Sequence, residues 1–291
     1  MRTSYVTTLG THLLFVESIN PARYIPGLST VANTNSRRLY PRFGNITEIR
    51  DGARSWFHSL QVGVQRQFGS NLTFTANYSL SKSIDTSSFA QGGAVSEGPN
   101  PFNRALNRAL SDFDVTHNLN GSFLWSLPGF RKASPIVRVF AGGWQVNGII
   151  NLQNGNPFSV IDSRDAGLAG IGAPVRADLV GNPFLPADRS RGEIVARYFD
   201  TNAFRLPADG TFGTSGRNIL RGPGYANVDF SVLKDFKLME GIALQFRTEC
   251  FNFLNRPNFN LPVSNLSSPT LGQIISSGSP RILQFALKLK F

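Results

Sequence analysis

The closing residues PRILQFALKLKF put Phe285, Leu287, Leu289 and Phe291 on one side of an extended chain. Gln284, Ala286, Lys288 and Lys290 fall on the other. Successive side chains of a strand point to opposite faces, so this period of two specifies a β-strand with one apolar and one polar face. The same alternation returns along the chain. Leu72, Phe74, Ala76, Tyr78 and Leu80 oppose Thr73, Thr75, Asn77 and Ser79, and just before them Leu60, Val62 and Val64 oppose Gln61, Gly63 and Gln65. Leu119, Phe123, Trp125 and Leu127 oppose Asn118, Asn120 and Ser122, and Trp144, Val146, Ile150 and Leu152 oppose Gln145, Asn147, Asn151 and Gln153. Val228, Phe230 and Val232, then Ile242, Leu244 and Phe246, complete seven strands, with Ser4–Thr8 as the end of an eighth.

Two architectures accept such strands. A soluble sandwich packs the apolar face inward and wets the polar one. An outer-membrane barrel turns the apolar face to lipid and lines a wet lumen with the polar one. Length separates them: several strands hold their alternation for the ~9–11 residues that a tilted membrane strand needs, against ~5–6 in a typical globular strand. The links separate them further. Long links at 9–55, 85–112, 155–224 and 255–280 alternate with shorter ones at 69–70, 128–139 and 238–241. Short periplasmic turns and long extracellular loops are the outer-membrane plan, whereas links this long are rare inside a compact domain. The expected fold is all-β, an antiparallel transmembrane barrel segment of about eight strands.

Composition agrees. Of the 291 residues 41% are hydrophobic and only 16% charged, with 28 Gly and 17 Pro, a mixture that disfavours helix interiors. The net charge of +11 raises nucleic acid as a partner, but the basic residues are scattered through segments such as NSRRLYPR and ADRSRGE, with no basic helix or aromatic RNA-binding signature. No nucleic acid is expected. The single cysteine, Cys250, shares a parity with Ile242, Leu244 and Phe246 and is expected to face lipid; alone, it can form neither an internal disulfide nor a cysteine metal site. No apolar run reaches the ~18 residues of a transmembrane helix.

Motifs for chemistry are sparse. His12, His58 and His117 have no second His or Cys at metal-ligand spacing, and no catalytic metal, nucleophile-elbow or phosphate-loop motif appears. The glycines of GTFGTSGRNILRGPG precede a strand rather than a helix, so they read as a structured loop. Asp112 and Asp114 in SDFD read as strand-end capping. No catalytic residue, metal or cofactor is expected, and the protein is not expected to be an enzyme.

The stretches NYSLSKSID, SDFDVTHNLNGSFLWSLPG, GGWQVNGIINLQNGNPFSV, FGTSGRNILRGPGYANVDFSVLKDF, FRTECFNFLNRPNF and PRILQFALKLKF occur in this order. With THLLFVESINPARYIPG and SWFHSLQVGVQRQF, they resemble the carboxy-terminal barrel of Oar-like TonB-dependent receptors. That resemblance implies a bacterial outer-membrane protein that takes up a scarce solute, with energy from a TonB-type transducer acting through a plug. Receptors of this class close with about 22 strands. Residues 1–291 are therefore expected to be the carboxy-terminal part of such a barrel, without plug or signal peptide. A passive or structural barrel serving adhesion or secretion is the alternative, and a soluble β-sandwich binding module a more distant one.

Several placements follow. The closing strand looks like the outer-membrane assembly signal, so Phe285, Leu287, Leu289 and Phe291 are expected to engage the barrel assembly machinery. Trp125 and Trp144 are expected in a periplasmic aromatic belt, and Trp56 and Tyr78 in an extracellular one. Outer-membrane lipid is the expected neighbour of the apolar faces. Arg164, Arg176, Arg189, Arg191 and Arg197 in the longest loop are expected to meet lipopolysaccharide phosphates.

Overall fold

The computed structural model describes residues 1–88, 98, 100–129 and 134–291, so parts of the expected links 85–112 and 128–139 lie outside the described residues. Eight long strands follow one another: β1 (Arg2–Ser18), β2 (Thr47–Phe68), β3 (Leu72–Asp85), β4 (His117–Ser126), β5 (Trp144–Gln153), β6 (Tyr225–Met239), β7 (Ile242–Phe251) and β8 (Ile282–Lys290). Each pairs antiparallel with its neighbour in sequence, giving one sheet in the order β1 to β8. A two-residue strand, Ala109–Leu110, adds to the end of β3. Residues 69–71, 127–143 and 240–241 connect strands at one end of the sheet, the turn end. Residues 19–46, 86–116, 154–224 and 252–281 connect them at the other, the loop end. Gly69 and Gly241 stand at φ 57° and 75° in the two tight turns, a region that side chains with a Cβ rarely adopt.

Two expectations about the elements need correction. The first strand does not stop at Thr8: β1 runs on to Ser18 against a 22-residue β2, so the link is 19–46 rather than 9–55. Register shifts between Gly10 and Leu14 break the period of two, putting Leu13, Leu14 and Phe15 in succession, and Gly52 bulges opposite them at φ 132°. The turn-end link also holds a helix, α1 (Pro135–Ala141), opened by a proline whose fixed φ suits a first helical position.

The pairing register sorts the residues into two faces. Val62, Tyr78, Leu119, Leu152 and Ala226 lie side by side across five strands. One residue along, Asn77, Asn120, Asn151 and Asn227 pair in the same order, so the opposite face carries a row of amides. Among the described residues no protein layer covers the apolar face beyond α1 at the turn end. Phe285, Leu287 and Leu289 are 67%, 68% and 53% exposed, and Leu60, Phe74, Leu80, Trp125 and Leu152 are exposed as well. Buried apolar side chains instead collect in the loops, around Phe158, Val160, Phe199, Phe204 and Leu220. A monomer in water seldom leaves an apolar patch beyond a few hundred Å² bare, so this face requires an apolar medium. Among the described residues β1 pairs only with β2 and β8 only with β7, so the eight strands form an open sheet.

Cys250 pairs with Phe230 and Leu283 on the apolar face and is 7% exposed. In the folded protein in bilayers, a membrane-impermeant thiol reagent should leave it unmodified. Rapid labelling from water would mean that the face is reversed.

Candidate functional site: loops latched onto the polar face

The loop end is a packed layer with its own core. Within 154–224, Pro157–Phe158 pairs with Leu220–Arg221, Ile161–Asp162 with Val175–Arg176, and Asp178–Leu179 with Phe204–Arg205. Phe199 meets Phe204 edge-on at 5.6 Å, and Leu266 and Leu271 of 252–281 close over this core. The loop 19–46 joins through its two adjacent arginines. Arg37 donates to the Leu168 carbonyl at 2.9 Å and Arg38 to that of Gly170 at 2.7 Å. Helix α2 (Arg191–Ala196) starts at Ser190, which exchanges hydrogen bonds with Glu193; those bonds hold the Glu193 carboxylate below its ordinary pKa.

Three arginines of 154–224 tie this layer to the sheet. On β3 the polar face carries Asn77, Ser79, Ser81, Ser83 and Asp85, and the latch forms on that face. Arg217 reaches Asp85 at 2.6 Å and Asp112 at 3.2 Å, and also meets the Ser88 hydroxyl at 2.6 Å. Asn218, at φ 58°, donates to Asp112 at 2.6 Å and to the Leu110 carbonyl at 2.7 Å. Arg221 pairs with Asp114, whose other oxygen accepts the Ser83 amide at 2.5 Å. Arg176, 4% exposed, is held among the described residues by neutral acceptors, the Ser215 carbonyl at 2.9 Å and Asn107 at 3.2 Å. Burial, then the nearby Arg217 charge, lower its pKa from the usual arginine value. The longest loop thus folds over the polar face, where the mouth of a lumen would be.

Sequence reasoning placed Asp112 and Asp114 at a strand end, and they are there. It missed their partners: Arg217 stands 105 positions from Asp112 and Arg221 107 from Asp114, separations with no local signature. The glycine-rich stretch that resembles a phosphate loop has a structural cause. Gly213 sits at φ 74°, and a side-chain carbon there would lie 1.9 Å from the Arg176 carbonyl oxygen.

The expected lipopolysaccharide arginines fare unevenly. Arg176 is buried in the latch, Arg164 pairs with Asp162, Arg189 donates to the Pro186 and Tyr198 carbonyls, and Arg197 pairs with Asp200. Among the described residues Arg191 is the one of the five with no partner inside the loop, and the side chains of Arg164 and Arg197 stay 49% and 45% exposed. Two of the five, Arg164 and Arg197, are thus in ion pairs within the loop.

A cavity of about 330 Å³ lies beside the latch, lined by Phe15, Glu17, Ala53, Arg54, Asn100 and Arg104. The Arg104 guanidinium stacks on the Phe15 ring at 3.7 Å, and Glu17 pairs with Arg50 at 3.3 Å. Aromatic, cationic and anionic groups here surround a space that fits a small polar solute. Among the described residues, no group of three or more His, Cys, Asp or Glu side chains is placed to hold a metal ion.

The aromatic placements split. Trp125 pairs with Val146, two residues from Trp144, so both tryptophans lie at the turn end. Trp56 pairs with Ile84, whereas Tyr78 pairs with Val62, six residues nearer the turn end. Six strand residues span about 20 Å, so Trp56 and Tyr78 do not share a level. Tyr78 instead hydrogen-bonds His117 at 2.7 Å, and Tyr5 hydrogen-bonds His58 at 3.0 Å. Two Tyr–His pairs therefore join polar side chains across neighbouring strands of the apolar face.

The whole of this geometry fits one family. Residues 1–284 match the outer membrane beta barrel domain, and the chain belongs to that family. Its place is the bacterial outer membrane. No curated protein and no solved structure matches the chain.

Proposed function

We propose that the chain forms part of the wall of an outer-membrane receptor that takes up a scarce solute, energised by a TonB-type partner acting through a plug in the lumen. The observation that carries this reading is the row of short amides on the polar face. An eight-stranded barrel has an interior just filled by its side chains, whereas transporters of about 22 strands enclose a wide, plugged lumen. Here the inner row is short amides, and the outermost strands each keep one unpaired edge. Those features suit an arc of a wider barrel. The ordered motifs shared with Oar-like receptors supply the transport class, and the loop cavity is a site at which solute would first be held. The closing strand, ending in the fully exposed Phe291, is then the segment that the assembly machinery reads.

Probing outer membranes with antibody to the 154–224 loop tests this. The reading expects a product well above 31.8 kDa, whose loss slows growth on limiting solutes only in cells with a working transducer. A 31.8 kDa product that conducts ions by itself would favour the passive barrel. In this reading the loop end is extracellular and the turn end periplasmic. Trypsin added to intact cells should cut within 154–224, where Arg191 is exposed, and spare 127–143. The opposite pattern would invert the orientation.

A further inference from the structure

The turn end carries a cation on the apolar face. Lys234 follows Val228, Phe230 and Val232 at the same parity on β6 and lies between Trp144 of β5 and Phe246 of β7. It is 3% exposed, and its ammonium stands 5.5 Å from the Trp144 ring centre and 5.2 Å from that of Phe236. The Nζ donates to the Gly142 carbonyl, just beyond α1. Among the described residues no carboxylate pairs with it. A lysine on a lipid-facing surface keeps its stem in apolar surroundings and sends its charge to the nearest polar boundary. Lys234 therefore marks the level at which hydrocarbon gives way to headgroups.

Helix α1 sits at that level. The Phe140 ring lies 6.4 Å from the Phe236 ring, and Trp144 Nε1 donates to the Phe140 carbonyl at 2.9 Å, so the helix leaves from the apolar side of the sheet. Ile136, Val139 and Phe140, at helical spacing, form one stripe, exposed by 72%, 50% and 65%. This stripe is continuous with the lipid-facing surface through Phe236 and Trp144. We propose that α1 is an interfacial anchor: it lies in the plane of the nearer leaflet with its apolar stripe at the headgroup–acyl boundary, while the buried Lys234 ammonium ties the Gly142 carbonyl at its carboxyl end to the sheet. Buried apolar area is one of the two sources of binding for such helices, and the exposed stripe offers it. The inference rests on the reading that the apolar face meets lipid.

The test uses the full chain refolded in phosphatidylethanolamine–phosphatidylglycerol vesicles, with Cys250→Ser and a single new cysteine carrying an environment-sensitive fluorophore. Val139→Cys reports on α1, Leu287→Cys on the sheet face, and Glu240→Cys on water beyond the β6–β7 turn. The expected result is blue-shifted emission at 139 that loses intensity with shallow spin-labelled phospholipid, as at 287 and unlike 240. Quenching at 287 with a water-like signal at 139 overturns the anchor and leaves the lipid face standing. Water-like signals at both positions overturn the two together. Should Val139→Cys fail to refold, Ile136→Cys, on the same stripe, gives the same reading.

Discussion

Leu287→Arg should destabilise the protein in a bilayer by about 1–4 kcal/mol, depending on depth, whereas Ala286→Arg one residue away should cost under about 1 kcal/mol. The contrast is informative because protein packing predicts none. β8 is an edge strand exposed on both faces, so in plain water neither substitution disrupts a core. Leu287 pairs with Phe246 on the apolar face, and an arginine there must enter hydrocarbon or drag water with it. Ala286 pairs with Arg247 on the polar face, whose charge is already engaged by Glu249. The modest expected cost at 286 comes from the two like charges opposite each other. Refolding titrations into lipid vesicles give both numbers. Equal costs for the two variants would sink the assignment of faces.

Asp114→Ala should release the longest loop. Asp114 is fully buried, pairs with Arg221 and accepts the Ser83 amide, so its removal leaves a guanidinium and a backbone donor short of partners. Removing one member of a buried pair costs about 3–5 kcal/mol, and the lower end applies because Arg221 keeps some contact with water. Asp112→Ala is the control. Its side chain is 60% exposed, and Arg217 retains Asp85, so the loss should stay under about 1 kcal/mol. Hydrogen exchange should show faster opening across 154–224 in the Asp114 variant, with β3 to β6 still protected. If the Asp112 variant opens the loop as much, Arg217 rather than Arg221 carries the latch.

The strands were readable in the sequence because a sheet bare on one face and wet on the other must alternate residue by residue. Where the chain departs from that geometry the pattern failed. Gly10, Gly52 and the run Leu13–Phe15 hid the upper half of β1, since a bulge moves neighbours onto the same side. The segment PIVRVFA hid α1, because its Ile and Val residues favour strands and only Pro135 signals a helix start. The polar-face latch was beyond local reading altogether. Arg217, Asn218 and Arg221 resemble any loop residues until the fold brings them to Asp85, Asp112 and Asp114. Composition likewise counts arginines without saying which ones pair inside the loops, as Arg164 and Arg197 do.

Site-directed spin labelling along β8 in lipid vesicles tests the central claim most directly. One nitroxide at a time, placed at positions 284 to 289, is exposed to oxygen, which concentrates in hydrocarbon, and to a water-soluble nickel complex. Oxygen collisions should peak at 285, 287 and 289, and nickel collisions at 284, 286 and 288. A flat profile, or the same alternation in opposite phase, would contradict a sheet whose Phe285–Leu289 face meets lipid and whose asparagine-rich face lines a wet lumen.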